Sequence, residues 1–99
     1  MNQGSVRVVA KIEALPGKAK VVREILGKLI DPTRKEDGCL TYELWQNRAN
    51  EIDFTFVEVW SSEAALDAHA ASQHLKAVAA ELQGLVTGPT DVRRYDLIY

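Results

Sequence analysis

The chain has 99 residues, 46% hydrophobic and 26% charged, which is enough for one globular domain and leaves no room for a second. Its formal net charge of −2 offers no bulk attraction to nucleic acid, and no apolar run approaches the roughly 20 residues that cross a bilayer. Cys39 is the single cysteine, which excludes an intrachain disulfide and a thiol-based zinc site.

Met1 to Ser5 lacks the charged and apolar regions of a signal peptide, so the expected location is cytoplasmic. Val6 to Ala14 alternates Val6, Val8, Ala10, Ile12 and Ala14 with Arg7, Val9, Lys11 and Glu13, the period of a strand. Pro16-Gly17 ends it and starts a helix from Lys18 to about Ile30. The stripe of that helix is Val21, Val22, Ile25, Leu26, Leu29 and Ile30. Pro32 limits its continuation, and Glu36-Asp37-Gly38 is a turn. Cys39 to Gln46 is a second strand, with Leu40, Tyr42 and Leu44 on one face and Thr41, Glu43 and Trp45 on the other. Asn47 to Asp53 is a hairpin loop, for which Asn47 and Asn50 are suitable turn residues. Phe54 to Trp60 is a third strand, with Phe54, Phe56, Glu58 and Trp60 sharing one face and Thr55, Val57 and Val59 the other. Ser61 or Ser62 can cap the next helix, and Ser72 can recap it before Leu75, Val78, Ala79 and Leu82. Gly84 and Thr87-Gly88-Pro89 break that helix, and Val92 to Tyr99 is a last strand.

The order β-α-β-β-α-β predicts an α+β domain of ferredoxin-like topology, with two helical regions on one face of an antiparallel sheet. The opposite face should be polar if it meets water. Val9, Val57, Val59 and Trp45 make it apolar instead, which marks an interaction surface. A second copy of the sheet is the simplest cover, so a homodimer joined through its sheet faces is expected.

Candidate chemistry is sparse. There is no Gly-rich phosphate loop and no nucleophile motif. His69 and His74 are five apart, where a continuous helix brings together residues three or four apart, so no metal site is expected. Trp60, His69 and His74 could line one cleft between helix and sheet, with Tyr42 and Arg94 (or its neighbours Arg93 and Tyr95) as further polar groups. A histidine there could act as a general base near neutral pH. A hydrogen-bonded core His69 and a surface His74 is the alternative reading. Cys39 reads as a packed residue, and Arg34, Lys35, Glu36 and Asp37 as solvated turn charges.

Glu58-Val59-Trp60, then Ala65-Leu66-Asp67-Ala68-His69 and Ser72-Gln73-His74-Leu75-Lys76, resemble the antibiotic biosynthesis monooxygenase family. So do Pro16-Gly17-Lys18 and Glu36-Asp37-Gly38-Cys39 leading to Tyr42. The Trp, His, His spacing is most similar to its bacterial quinol monooxygenase branch. The resemblance implies a dimeric α+β barrel that oxidises a quinol or phenolic aromatic with O₂ and uses no cofactor. It makes His69 the candidate base, Trp60 a pocket wall, and His74 and Tyr42 secondary contacts. Where haem-binding relatives carry a helix-two histidine and a strand-one asparagine, this chain has Ala79 and, nearby, Ala10. Relatives that oxidise anthrones have an asparagine and a tyrosine where this chain has Phe56 and Leu66. The stretch from His69 to Pro89 is also similar to the autoinducer-processing isomerases of small phosphorylated diones, for which Lys76 with Arg93 or Arg94 would have to hold the phosphate. A non-catalytic ligand-binding domain is the third reading.

Overall fold

A computed structural model describes residues 4–99, so most of the opening segment read for a signal peptide (Met1 to Gln3) lies outside the described residues. The elements run β1 (Val6–Glu13), α1 (Ala19–Gly27), α2 (Ile30–Arg34), β2 (Cys39–Gln46), β3 (Asp53–Trp60), α3 (Glu63–Ala70), α4 (Gln73–Leu82) and β4 (Asp91–Tyr95). The four strands form one antiparallel sheet in the order β2-β3-β1-β4, the ferredoxin-like arrangement expected. No helix among the described residues is long and apolar enough to cross a membrane.

The two-residue period of the strands decides which side chains meet the helices. On that face Val8 pairs with Glu58, Ala10 with Phe56 and Ile12 with Phe54, and all six are buried. Helix α1 lays Val22, Ile25 and Leu26 over them, and α4 adds Val78 and Leu82. Val21, expected in the α1 stripe, is exposed instead, because it points past the edge of a face that Val22 fills. The opposite face of the sheet pairs Val9 with Val57 and also carries Val59, Trp45 and Tyr95, with Trp45 and Tyr95 about half exposed.

Three features differ from the sequence reading. The first helix stops at Gly27 and a short α2 follows. Pro32 sits in the first turn of α2, where a missing N–H breaks no helical hydrogen bond. In β2 the register slips between Cys39 and Thr41, so Leu40 leaves the face of Tyr42 and Leu44 and is 62% exposed. The last strand ends at Tyr95, and its pairing with β1 stops at Arg7 with Tyr95.

Two serines shape the second helical region. Ser62 accepts from the backbone N–H of Ala65 and Ser72 from that of Leu75, each as an N-cap, so one predicted helix is two. The chain bends at Ala71-Ser72. Gly38, at φ +83°, closes the turn before β2, and its carbonyl accepts from the N–H of Ser61 at 2.8 Å. A Cβ there would lie 2.6 Å from both the Ala65 Cβ and the Ser61 Oγ, so only glycine lets the 36–38 turn dock against the start of α3.

Candidate active site

A cavity of about 400 Å³ lies between the helix-covered face of the sheet and helices α1, α3 and α4. That size falls within the range of small-ligand sites. Its walls are mostly apolar, among them Val8, Ile12, Leu26, Phe56, Leu66 and Val78, and its polar groups include Tyr42, Glu58, His69 and Arg94.

His69 is buried on α3, 5% exposed, and its Nδ1 lies 2.7 Å from Glu36 Oε2. The same oxygen lies 2.8 Å from His74 Nε2. A carboxylate only accepts, so both rings donate to it: Nδ1 of His69 carries a proton, and in the neutral ring Nε2 keeps the lone pair. No hydrogen bond to Nε2 is found among the described residues, and His69 is one of the residues that line the cavity. The ring is clamped by two aromatics. Trp60 packs against it with centroids 4.7 Å apart, and Tyr42 meets it edge-on at 5.5 Å while stacking on Phe56. A carboxylate on one nitrogen and a free lone pair on the other is the arrangement of an oriented general base.

Glu58 is the second carboxyl group at the cavity. It faces the helices between Phe56 and Trp60, is 4% exposed, and accepts from Trp60 Nε1 at 2.8 Å. Burial pushes its pKa up. The Trp60 N–H and the charge that His69 can carry pull it partly back. Tyr42 has its phenol pushed well above the ordinary range, first by burial and then by Glu58. Cys39 is half-buried against the core, and its thiol is raised by burial and by Glu36 and Glu58, the opposite of an activated nucleophile.

His69, Tyr42 and Arg94 therefore reach the cavity as expected, and Arg94 rather than Arg93 faces it. Arg93 turns to the opposite face and pairs with Asp91. Arg94 is held by Glu63 and Asp67, one turn apart on α3. Trp60 and His74 require correction. Trp60 is fully buried behind His69 and does not line the cavity, because its indole N–H turns to Glu58. His74 also lies off the cavity wall, on the far side of Glu36. The argument from a five-residue spacing fails because it assumes a continuous helix; the bend at Ser72 brings both histidines to one oxygen. Glu36, expected to be a solvated turn charge, is the carboxylate between them, with its side chain 17% exposed. Only the tertiary fold reveals it. Glu58 was legible as the one charged residue in the alternating buried face of β3.

Residues 5–81 match the family model described as antibiotic biosynthesis monooxygenase. The chain belongs to that family. Three relatives are similar to this chain over most of its length. "Putative monooxygenase Rv0793" of Mycobacterium tuberculosis is 34% identical over 87 residues, covering 88% of this chain and 85% of that protein. Its solved structure superposes with a TM-score of 0.88, covering 96% of each chain. "Probable quinol monooxygenase YgiN" of Escherichia coli is 29% identical over 87 residues, covering 78% of this chain and 84% of that protein. "Uncharacterized protein sll1783" of Synechocystis is 27% identical over 90 residues, covering 91% of this chain but 61% of that longer protein.

Proposed function

We propose that this antibiotic biosynthesis monooxygenase family member oxidises a small quinol or electron-rich phenol with O₂, with His69 as the general base. One observation carries the reading: the His69 ring lines an apolar cavity with Nδ1 committed to Glu36 and Nε2 free. Nε2 takes the proton of a bound phenol. The resulting anion is electron-rich enough to give one electron to O₂, and the two radicals combine at a ring carbon. Loss of water from that hydroperoxide converts a quinol and O₂ into a hydroxyquinone and water, so atoms and electrons balance without an added reductant. The protein contributes a dry cavity, an oriented ring and the base. Glu36 is a positioning residue, Trp60 fixes the His69 ring from behind, and Tyr42 and Arg94 are polar contacts for the substrate. The name of the YgiN relative supports a quinol in particular.

A second copy of the chain covers the apolar sheet face in this reading, through Val9, Trp45, Val57, Val59 and Tyr95. The isomerase alternative has less support, since only one of its phosphate candidates, Arg94, lines the cavity. Lys76 is exposed and off the cavity wall, Arg93 is on the other face, and Arg94 already has two carboxylates.

The test is oxygen uptake by purified protein with a soluble naphthoquinol, above the autoxidation background. His69→Ala should lose roughly 100-fold or more in kcat, the scale of general-base catalysis. Uptake by His69→Ala equal to that of the unaltered protein would remove His69 from the chemistry.

A further inference from the structure

Glu36, His69 and His74 have a second capability. Their ligand atoms (one carboxylate oxygen, one Nδ1 and one Nε2) lie within 4.8 Å of one another. Zinc bonds of about 2.0–2.2 Å in a tetrahedron place ligands roughly 3.3 Å apart. The two oxygen-to-nitrogen distances, 2.7 and 2.8 Å, need to open by about half an ångström, and the two nitrogens, within 4.8 Å of each other, need to draw in toward the same spacing. The ligands are also held in advance. His69 is clamped between Trp60 and Tyr42, and the turn bearing Glu36 is fixed by the hydrogen bond of Gly38 to Ser61. The His74 and Glu36 side chains are 25% and 17% exposed, so an ion has a route in from solvent that does not cross the cavity.

We propose that these three side chains form a binding site for a single divalent ion of the zinc class, with water in its fourth position. Two imidazoles among three ligands favour such a metal over magnesium or calcium, which take oxygen donors. With both rings neutral, binding relocates protons within them. His69 gives its Nδ1 lone pair to the metal and carries its hydrogen on Nε2, and His74 shifts its own from Nε2 to Nδ1. The ion therefore converts Nε2 of His69 from an acceptor to a donor. This consequence rests on His69 being the base; the binding itself does not. Zinc is then a reversible inhibitor that never touches the substrate.

The experiment is calorimetric titration of tag-free, chelator-treated protein with zinc chloride, alongside magnesium and calcium chloride, with folding of each variant checked by circular dichroism. The expected result is one zinc per chain, no saturable response to magnesium or calcium, and affinity at least tenfold weaker in His74→Ala and in Glu36→Gln. No saturable zinc binding, or equal affinity in both folded variants, would overturn the site. Oxygen uptake is then measured with and without zinc. A loss that a chelator reverses supports the proton relocation. Unchanged uptake at saturating zinc leaves the metal site standing and counts against His69 as base, so the two ideas fail separately.

Discussion

Replacing Glu36 by alanine deletes a single oxygen on which two rings converge. The His69 side chain is 6% exposed, so its Nδ1–H would be left buried without an acceptor, a loss of about 1–3 kcal/mol. The His74 side chain is 25% exposed and can turn to water, losing about 0.5–1 kcal/mol. Glu36→Ala should therefore destabilise the fold by about 1.5–4 kcal/mol. Glu36→Gln, which keeps an acceptor without the charge, should lose about 1 kcal/mol. Urea unfolding at fixed protein concentration, followed by tryptophan fluorescence, measures both; the concentration matters because association adds to apparent stability. A double-mutant cycle with His69→Ala should return a coupling of about 1–2 kcal/mol. A Glu36→Ala loss below about 0.5 kcal/mol, or no coupling, would mean that this carboxylate does not hold the histidines in solution.

Glu58→Gln tests the raised acidity of the buried carboxyl group. A native pKa above the unfolded one means that the folded state binds the proton more tightly, so the parent protein loses stability as pH climbs from the ordinary glutamate range through the raised value. The variant keeps an acceptor for Trp60 and loses this slope. It should gain on the parent as pH rises and show no advantage below the ordinary glutamate range; a pH-independent difference in urea unfolding would contradict this. Gly38→Ala forces a Cβ to within 2.6 Å of Ala65 and Ser61 at positive φ and should cost about 2 kcal/mol or more by the same assay, whereas a neutral effect would show that the turn is not locked. Val57→Lys places a charge in the middle of the apolar sheet face, and sedimentation velocity should show a dimer becoming a monomer. A dimer that survives this change is not built on that face.

The strands were readable because one face of the sheet is buried and the alternation had to be strict. Cys39–Gln46 matches the sequence reading, and the hairpin turn is closed as expected by the Asn47 side chain, which accepts from the Ala49 N–H. The bend at Ser72 was legible as a possible recap, but its consequence for His74 was not. Spacing rules describe one helix, whereas the meeting of His69 and His74 depends on where two helices point. Glu36 was invisible for the same reason, since a charge in a turn looks the same whether it faces water or a buried imidazole. Leu40 went astray because a bulge adds one residue and leaves no mark in the alternation. Trp60 was right in position and wrong in role, since its indole N–H bonds to a carboxyl group two residues away on its own strand.

The contacts from Glu36 to the two rings close loops of 33 and 38 residues. Such a clasp exists only when the stretch before the second strand and the bent helical pair are both seated, so a partly opened chain has a histidine but no fixed tautomer. Under the proposed reaction, the orientation of His69 as a base is thereby tied to completed folding.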